Sequence, residues 1–272
     1  MKDMVLDSVL ITGAGSGIGR AVALACAAPR RTLHLADRDA AALREAAAAC
    51  RGLGAEVRAQ EIDVADAAGM ERWVAGTGRL DFAFANAGVS FNFGETAAGR
   101  DAQARDVLAI NLGGMLNTVL PAMRVMAGQP AGAGGVRGRI AATASLAAFL
   151  PVPGAPAYSA SKAAVDSWMV ASAPAARRQG LVLSSVCPGY VLTPMTAGND
   201  YAMPGLMQPD EAARIILRGV AAGRRRIAFP WWLQACARLG GMLPPALVAR
   251  LVGLRAARGG AGVRETQAQP TA

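Results

Sequence analysis

Apolar positions follow two alternating periods along most of the chain. Short runs of aliphatic and β-branched residues are separated by longer Ala-rich stretches in which apolar positions recur at helical spacing. The strand-like runs are SVLITG, TLHLAD, EVRAQEIDV, LDFAFANAG, GRIAATAS and LVLSSVCPG. Strands that alternate with helices in this way predict βαβ units. We therefore expect an α/β fold with a doubly wound parallel sheet in a single domain.

A glycine-rich turn, TGAGSGIG, follows the first predicted strand directly, from Thr12 to Gly19. Glycines allow a tight turn and let backbone N–H groups at a helix N-terminus approach a pyrophosphate. Such turns also serve simple strand-to-helix packing, but the position after the first strand favours a dinucleotide site. Its candidate residues are Gly13, Gly15, Ser16, Gly17, Ile18 and Gly19.

Asp37 ends the second predicted strand, about 20 residues after the glycine turn. A carboxylate at this position can accept hydrogen bonds from ribose hydroxyls and would repel a 2′-phosphate, which favours NAD. Arg38 follows at once and could instead bind that phosphate, so NADP stays open. A turn aspartate is the structural alternative for Asp37.

The composition fits a folded enzyme-sized domain without structural metal or disulfides. The 272 residues are 53% hydrophobic and 17% charged, and the four cysteines form no CxxC pair. His34 is the single histidine and lies in a strand-like run, so we expect no metal site. The N-terminus lacks a signal-peptide pattern and no long apolar window is free of charge, Gly and Pro, so we expect a cytoplasmic protein without a spanning helix.

The net charge of +9 is concentrated near the C-terminus. Residues 212–264 contain ten arginines and no acidic residue, so the rest of the chain has a net charge of −1. A nearly neutral body argues against a nucleic-acid partner. We expect a catalytic domain at 1–223, an Arg-rich amphipathic helical extension at 224–258 and a disordered tail at 259–272.

Two interpretations of the extension stay open. Apolar residues at helical spacing after Pro244 predict an amphipathic helix, and Trp231 and Trp232 add aromatic surface; the spaced residues are Leu247, Val248, Leu251 and Leu254. Residues 227–258 could contact an anionic membrane surface, at the inner face of the membrane. Alternatively, the apolar face packs on the domain or on a sister subunit.

Further motifs make the chain resemble the short-chain dehydrogenase/reductase family, which has a Rossmann-like fold. Besides TGAGSGIG they are Asp63-Val64, ANAG at 85–88, Asn111, Ser145, YSASK at 158–162 and PGYVLTPM at 188–195. The match runs from residue 5 to about 222 in the family's order and spacing. Ala85 is a departure, because the family more often has Asn there.

The resemblance implies a catalytic set of Asn111, Ser145, Tyr158 and Lys162. Tyr158 would be the general acid/base, Lys162 its activator and Ser145 the group that binds the carbonyl. A phenol has a pKa of about 10, and an ammonium one helical turn away would lower it. The resemblance also implies cofactor contacts from Asp63, Val64, Asn86, Ala87, Gly88, Tyr158, Lys162, Pro188, Gly189, Val191 and Thr193.

The function expected from these residues is an NAD(P)-dependent oxidoreductase that interconverts a secondary alcohol and a ketone. The loop TAGNDYAMPGLMQ at 196–208 contains Met203, Leu206 and Met207, which are either a mobile apolar lid or ordinary core residues. The family implies a homodimer or homotetramer. The alternative is a non-catalytic dinucleotide sensor or scaffold on the same fold.

Overall fold

One parallel sheet carries the fold. The computed structural model describes residues 4, 6–90, 97–152, 154–199, 201–244, 246–248 and 250. Within them the strands are β1 (Ser8–Thr12), β2 (Thr32–Asp37), β3 (Glu56–Glu61), β4 (Phe82–Ala85), β5 (Gly138–Thr143), β6 (Leu181–Pro188) and β7 (Arg226–Phe229). The helices are α1 (Gly17–Cys26), α2 (Ala40–Gly52), α3 (Ala67–Ala75), α4 (Ala97–Leu108), α5 (Gly114–Gly128), α6 (Pro156–Arg178), α7 (Pro194–Ala197), α8 (Pro209–Ala221) and α9 (Trp231–Gly241).

The strand order is β3-β2-β1-β4-β5-β6-β7, and all neighbouring pairs are parallel. Apolar residues of α1, α2 and α8 fill the core on one face of the sheet, and those of α3, α5 and α6 fill it on the other. Both faces of every central strand are buried, which explains their nearly continuous apolar runs. The doubly wound α/β prediction is confirmed, and the order reverses between β1 and β4, where open α/β sheets bind ligands.

The seventh strand lies within the segment that the sequence analysis assigned to a helical extension. β7 pairs with β6 from Ser185↔Arg226 to Pro188↔Phe229. The RIAF strand has only four residues and follows a run of arginines, so its local composition resembles a solvated tail rather than a sheet edge. The sheet therefore continues beyond residue 223.

Helix α9 follows β7 and packs against the domain with one face. Ala237 is buried, and Leu233 packs against the second core cluster. The guanidinium groups of Arg226 and Arg238 lie 5.5 and 4.9 Å from the ring centroid of Phe149, which joins α9 and β7 to the segment after β5. Residues 246–248 and 250 are helical, whereas Leu251, Leu254 and the predicted tail lie outside the described residues.

The sequence analysis predicted no spanning helix, but the segment Asp101–Gly128 is long and apolar enough to cross a membrane. Its apolar 18-residue stretch has a mean hydropathy of 1.2, and 44% of that stretch is buried. The segment spans α4 and α5, which contact α6, α3 and the sheet. Core helices of soluble proteins pass the same length and composition test. The finding is therefore weak evidence for a membrane span.

Candidate active site

The glycine-rich turn connects β1 to α1 and is tied to the end of β4. Gly13 has a φ of +65°, which L side chains rarely adopt, and a Cβ on Gly19 would overlap the Gly13 carbonyl oxygen. The Thr12 hydroxyl accepts hydrogen bonds from the backbone N–H groups of Asn86 and Ala87, at 3.1 and 3.3 Å. These contacts fix the glycine-rich turn, and with it the N-terminus of α1, against the end of β4, where the strand order reverses.

Asp37 fixes a negative charge beside that turn. One carboxylate oxygen accepts a hydrogen bond from the Gly15 N–H at 2.8 Å, and the other accepts one from the Asp39 N–H at 3.0 Å. Asp37, Arg38 and Asp39 all line the same cavity. A ribose at this place would meet two carboxylates and one guanidinium.

The Asp63–Val64 segment reaches the cavity because α5 begins with a glycine. A Cβ on Gly114 would overlap the Val64 side chain, and the Asn117 side-chain amide donates to the Val64 carbonyl at 2.8 Å. The loop after β3 is therefore held against the start of α5. Asp63 and Val64 form the cavity wall at this end, together with Ile62.

Asn111 lies in a π-helical turn, residues Ala109–Gly113, between α4 and α5. Its side chain is 1% exposed and makes three hydrogen bonds. Its oxygen accepts from the Val89 N–H at 2.8 Å, and its amide donates to the Val89 carbonyl and the Ser161 hydroxyl, both at 3.0 Å. Since π turns are often found at functional sites, this local geometry keeps Asn111 among the candidate site residues.

Ser145, Tyr158 and Lys162 meet at the carboxyl edge of the sheet. Ser145 follows β5, and Tyr158 and Lys162 lie one turn apart near the start of α6. The Ser145 hydroxyl is close enough to the Tyr158 hydroxyl to lower its pKa. The Lys162 Nζ lies 5.7 Å from the centre of the Tyr158 ring and donates to the Thr143 carbonyl at 2.8 Å.

Burial dominates the protonation of both groups. It raises the pKa of the Tyr158 phenol above 10.0, and the nearby Ser145 hydroxyl offsets only part of that rise. Burial also lowers the pKa of the Lys162 ammonium from 10.5 to about 8. In the protein alone, burial therefore outweighs the influences that lower the Tyr158 pKa, and the activating role of Lys162 stays a prediction.

A cavity of about 460 Å³ connects these groups. Sites for cofactors and small ligands typically have about 300–1,000 Å³. The predicted residues that line it are Gly13, Ser16, Gly17, Ile18, Asp37, Arg38, Asp63, Val64, Asn86, Ala87, Gly88, Ser145, Tyr158, Lys162, Pro188, Gly189, Val191 and Thr193. One continuous site thus runs from Asp37 to Tyr158.

Three predicted residues do not line the cavity but support its walls. Gly15 donates to Asp37, Gly19 packs beneath Gly13, and Asn111 holds Val89, which does line it. In the described part of the chain, no group of three or more His, Cys, Asp or Glu side chains could hold a metal ion.

The sequence analysis missed several polar groups that build the site. Thr143 supplies the carbonyl bound by Lys162, and its hydroxyl donates to the Asn86 side chain at 3.1 Å. The Ser161 hydroxyl connects Asn111 to the Tyr158 carbonyl, to which it donates at 2.7 Å. Ser161 directly precedes Lys162 within YSASK, so its position in the motif could have identified it, whereas Thr143 carries no such signal.

Comparison with known proteins agrees with this geometry. The family described as short chain dehydrogenase matches residues 7–203. The chain belongs to the short-chain dehydrogenase family. An uncharacterized oxidoreductase of Myxococcus xanthus is 32% identical over 250 residues, which cover 90% of this chain and 95% of that protein.

Two solved structures of the short-chain dehydrogenase family resemble the whole fold. An enzyme from Burkholderia phymatum in complex with NAD has a TM-score of 0.77 at 27% identity and covers 88% of this chain and 94% of its own. One from Sphingobium yanoikuyae in complex with NADPH has a TM-score of 0.72 at 26% identity and covers 96% and 98%. The chain is thus an oxidoreductase of this family with a nicotinamide dinucleotide site.

The residues present suit such a cofactor. The open N-terminus of α1 offers backbone N–H groups to a pyrophosphate, Asp37 stands where a ribose would lie, and the turn from Pro188 to Thr193 borders the Tyr158 end. A side chain on Gly13 would overlap Ala87, so the cavity depends on the glycine there.

Proposed function

We propose that this short-chain dehydrogenase interconverts a secondary alcohol and a ketone, with Tyr158 as the general acid/base. The observation that supports this most directly is that the Ser145 and Tyr158 side chains lie close together in the wall of one cavity, next to the buried Lys162. Two hydroxyls at one point can bind a single carbonyl or alcohol oxygen. A dinucleotide sensor would have no use for this arrangement.

Each residue has a distinct task in the proposed reaction. Ser145 donates a hydrogen bond to the substrate oxygen, and Tyr158 transfers the proton to or from that oxygen. The nicotinamide, when bound, exchanges a hydride with the carbonyl carbon and in its oxidised form adds a positive charge. Lys162 supplies an ammonium beside the phenol, and Asn111 positions the Val89 backbone and Ser161 around it.

The raised pKa of Tyr158 has a consequence for direction. A phenol that stays protonated at neutral pH is ready to donate a proton, as ketone reduction requires. Alcohol oxidation needs the phenolate, so its rate should increase as the pH rises, while reduction should fall in the alkaline range. We expect this opposite pH dependence in initial rates measured with the same substrate pair.

Replacement of Tyr158 by Phe tests the catalytic assignment. It removes the proton donor but keeps the ring, so turnover of every substrate in a panel of alcohols and ketones should fall by about 100-fold or more. Cofactor affinity, measured by calorimetry, should change little. Ser185→Ala is a control that removes a hydroxyl buried elsewhere on β6. Turnover that survives Tyr158→Phe would refute the role.

We propose NAD as the preferred cofactor, with NADP as the alternative that Arg38 keeps open. The fixed carboxylate of Asp37 and the nearby Asp39 would repel a 2′-phosphate. Asp37→Ser should weaken NAD binding and shift the NADP-to-NAD affinity ratio upward by about tenfold, whereas Arg38→Ser should lower it. A wild-type preference for NADP would contradict this proposal.

The substrate is proposed to be apolar, and the enzyme to be a cytoplasmic homo-oligomer that also contacts anionic membrane surfaces through α9. The outward face of α9 carries Trp231 and Leu239, which are 77% and 65% exposed, and Met242, directly after its last residue, is 81% exposed. They recur at spacings of eight and three, so they share one side of the helix. The surrounding segment 212–264 contains ten arginines and no acid.

Charge favours a lipid surface over a second copy as the partner of this face. A two-fold contact through this face would bring the arginine-rich segments of two copies close together, which is repulsive. Each arginine near an anionic bilayer contributes about 1 kcal/mol of attraction. Oligomer formation is therefore proposed to use other surfaces of the domain.

Vesicle co-sedimentation of the full chain tests the contact. Binding is expected to vesicles that contain phosphatidylglycerol and not to pure phosphatidylcholine. The double substitution Trp231→Glu/Leu239→Glu should abolish it, whereas the control Leu53→Glu, at a 50% exposed site before β3, should not. Equal binding by all three proteins, or loss of oligomers in the double variant alone, would refute the membrane proposal.

A further inference from the structure

The inner face of α9 contacts both segments that flank the proposed reactive centre. A Cβ on Gly189 would lie 3.1 Å from the Leu233 side chain and 3.4 Å from that of Leu146. Gly189 lines the cavity, and Leu146 directly follows Ser145. Near the other end of α9, a Cβ on Gly240 would lie 3.2 Å from the Leu150 side chain. The helix therefore packs against the outside of the cavity wall and supports it.

The loop that follows β6 borders the cavity, and its two ends are bonded to each other. We call residues 192–199 and 201–207 the substrate loop. Val191 and Met207 form a β-bridge at its base, where the Leu192 N–H donates to the Met207 carbonyl at 2.9 Å. Its first residues, Thr193 to Thr196, line the cavity. The loop thus forms the cavity wall beyond the nicotinamide turn.

Two aromatic side chains, Tyr201 in the substrate loop and Tyr190 just before it, lie near Tyr158. The rings of Tyr190 and Tyr201 pack edge to face, with centroids 6.2 Å apart. Both phenols are close enough to Tyr158 to raise its pKa. The three tyrosines of the chain therefore lie near one another, and the position of Tyr201 depends on how the loop is held.

The contact that holds the far end of the loop comes from Trp232. The indole lies over Gly205, where a Cβ would be 2.9 Å from its Cζ2 and 3.7 Å from its Cη2, and Pro230 adds a second contact at 3.1 Å. Gly205 has a φ of +72°, and the amides of Leu206 and Met207 next to it are hydrogen-bonded within the loop and to its base. Trp232 is 39% exposed, about half the value of its neighbour Trp231.

We propose that Trp232 is a positioning residue: through Gly205 it fixes the substrate loop, with Tyr201, against the reactive end of the cavity. In this way the C-terminal helix sets how tightly an apolar substrate is enclosed. The inference rests on the proposed function for its kinetic consequence but not for its structural one. Trp231, one residue away and on the outward face, provides a matched control.

Amide hydrogen exchange on the full chain tests the structural consequence directly. An aromatic contact contributes about 0.5–1.5 kcal/mol, so Trp232→Ala should speed exchange at the Leu192, Leu206 and Met207 amides about two- to tenfold. Trp231→Ala should leave these amides unchanged. Trp232→Phe keeps a ring over Gly205 and should restore most of the protection. Should Trp232→Ala fail to fold, Trp232→Leu replaces it in the same comparison.

Steady-state kinetics tests the catalytic consequence. Trp232→Ala should raise KM for a long apolar ketone about two- to tenfold, with kcat and cofactor affinity nearly unchanged, while Trp231→Ala leaves all three constants in place. Equal exchange in the two alanine variants would overturn the proposal. A wild type that turns over no alcohol or ketone would refute the proposed function instead, and the exchange result would still decide the role of Trp232.

Discussion

Replacement of Lys162 by Met removes a buried charge and should make the protein more stable while it destroys activity. Lys162 is 3% exposed and burial lowers its pKa to about 8, so the folded state binds its proton less tightly than the unfolded state does. The folded protein therefore bears an energetic cost for the ammonium at neutral pH. Met has a similar unbranched shape without the charge.

The size of the effect follows from the two pKa values. The difference between 10.5 in the unfolded chain and about 8 in the folded protein corresponds to about 3 kcal/mol, at 1.36 kcal/mol per pH unit. The Thr143 carbonyl loses its hydrogen bond in the variant, which costs about 1 kcal/mol. We expect Lys162→Met to raise the free energy of unfolding at pH 7 by about 2 kcal/mol.

The pH dependence gives the sharper measurement. The cost is fully present below about pH 8 and is relieved as the pH rises toward 10.5, because the folded state loses its proton first. Urea denaturation of both proteins at several pH values should show that the stability gap closes in this range. Other alkaline titrations cancel in the difference between the two proteins. A gap that stays constant with pH would refute the reasoning.

Three further substitutions test other parts of the site. Lys162→Arg should reduce turnover about 100-fold, because Nζ is so close to Gly88 that a Cβ there would lie 3.2 Å from it, which leaves little room for the wider guanidinium. Near-normal activity of this variant would show that a positive charge alone suffices. Asp166→Asn weakens a buried ion pair with Arg226 and should lower the free energy of unfolding by about 2 kcal/mol in urea titrations at pH 7, with the loss shrinking as Asp166 is protonated in acid. Asn111→Leu should lower kcat about tenfold or more and speed exchange of the Val89 amide, and unchanged exchange would contradict the positioning role.

Much of the fold and most of the cavity wall could be predicted from the sequence. The buried strands read as continuous apolar runs, and the glycine turn, Asp37 and the Tyr158–Lys162 pair each carry a local signal that depends on short spacing. These signals work because the atoms involved are neighbours along the chain. The carboxyl ends of parallel strands then meet at one edge of the sheet, which assembles the site.

The remaining features depend on contacts between distant segments. Strand β7 is too short and too close to arginines to be recognised, and only its pairing with β6 identifies it. The direction of the Tyr158 pKa change could not be predicted from the sequence either, because it reflects the burial of the phenol rather than the residue spacing. The contact of Trp232 with Gly205 joins α9 to a loop whose path no local pattern specifies.

The π-helical turn around Asn111 bears on how the long apolar segment Asp101–Gly128 can be accommodated. Asp101–Gly128 passes a hydropathy test for a membrane span, yet Asn111 sits within it with its side-chain amide bonded to Val89 and Ser161. Transfer of this helix into lipid would strand that amide among hydrocarbon tails, at a cost of roughly 4–8 kcal/mol. The same polar group that shapes the site thus opposes insertion of the helix into a bilayer.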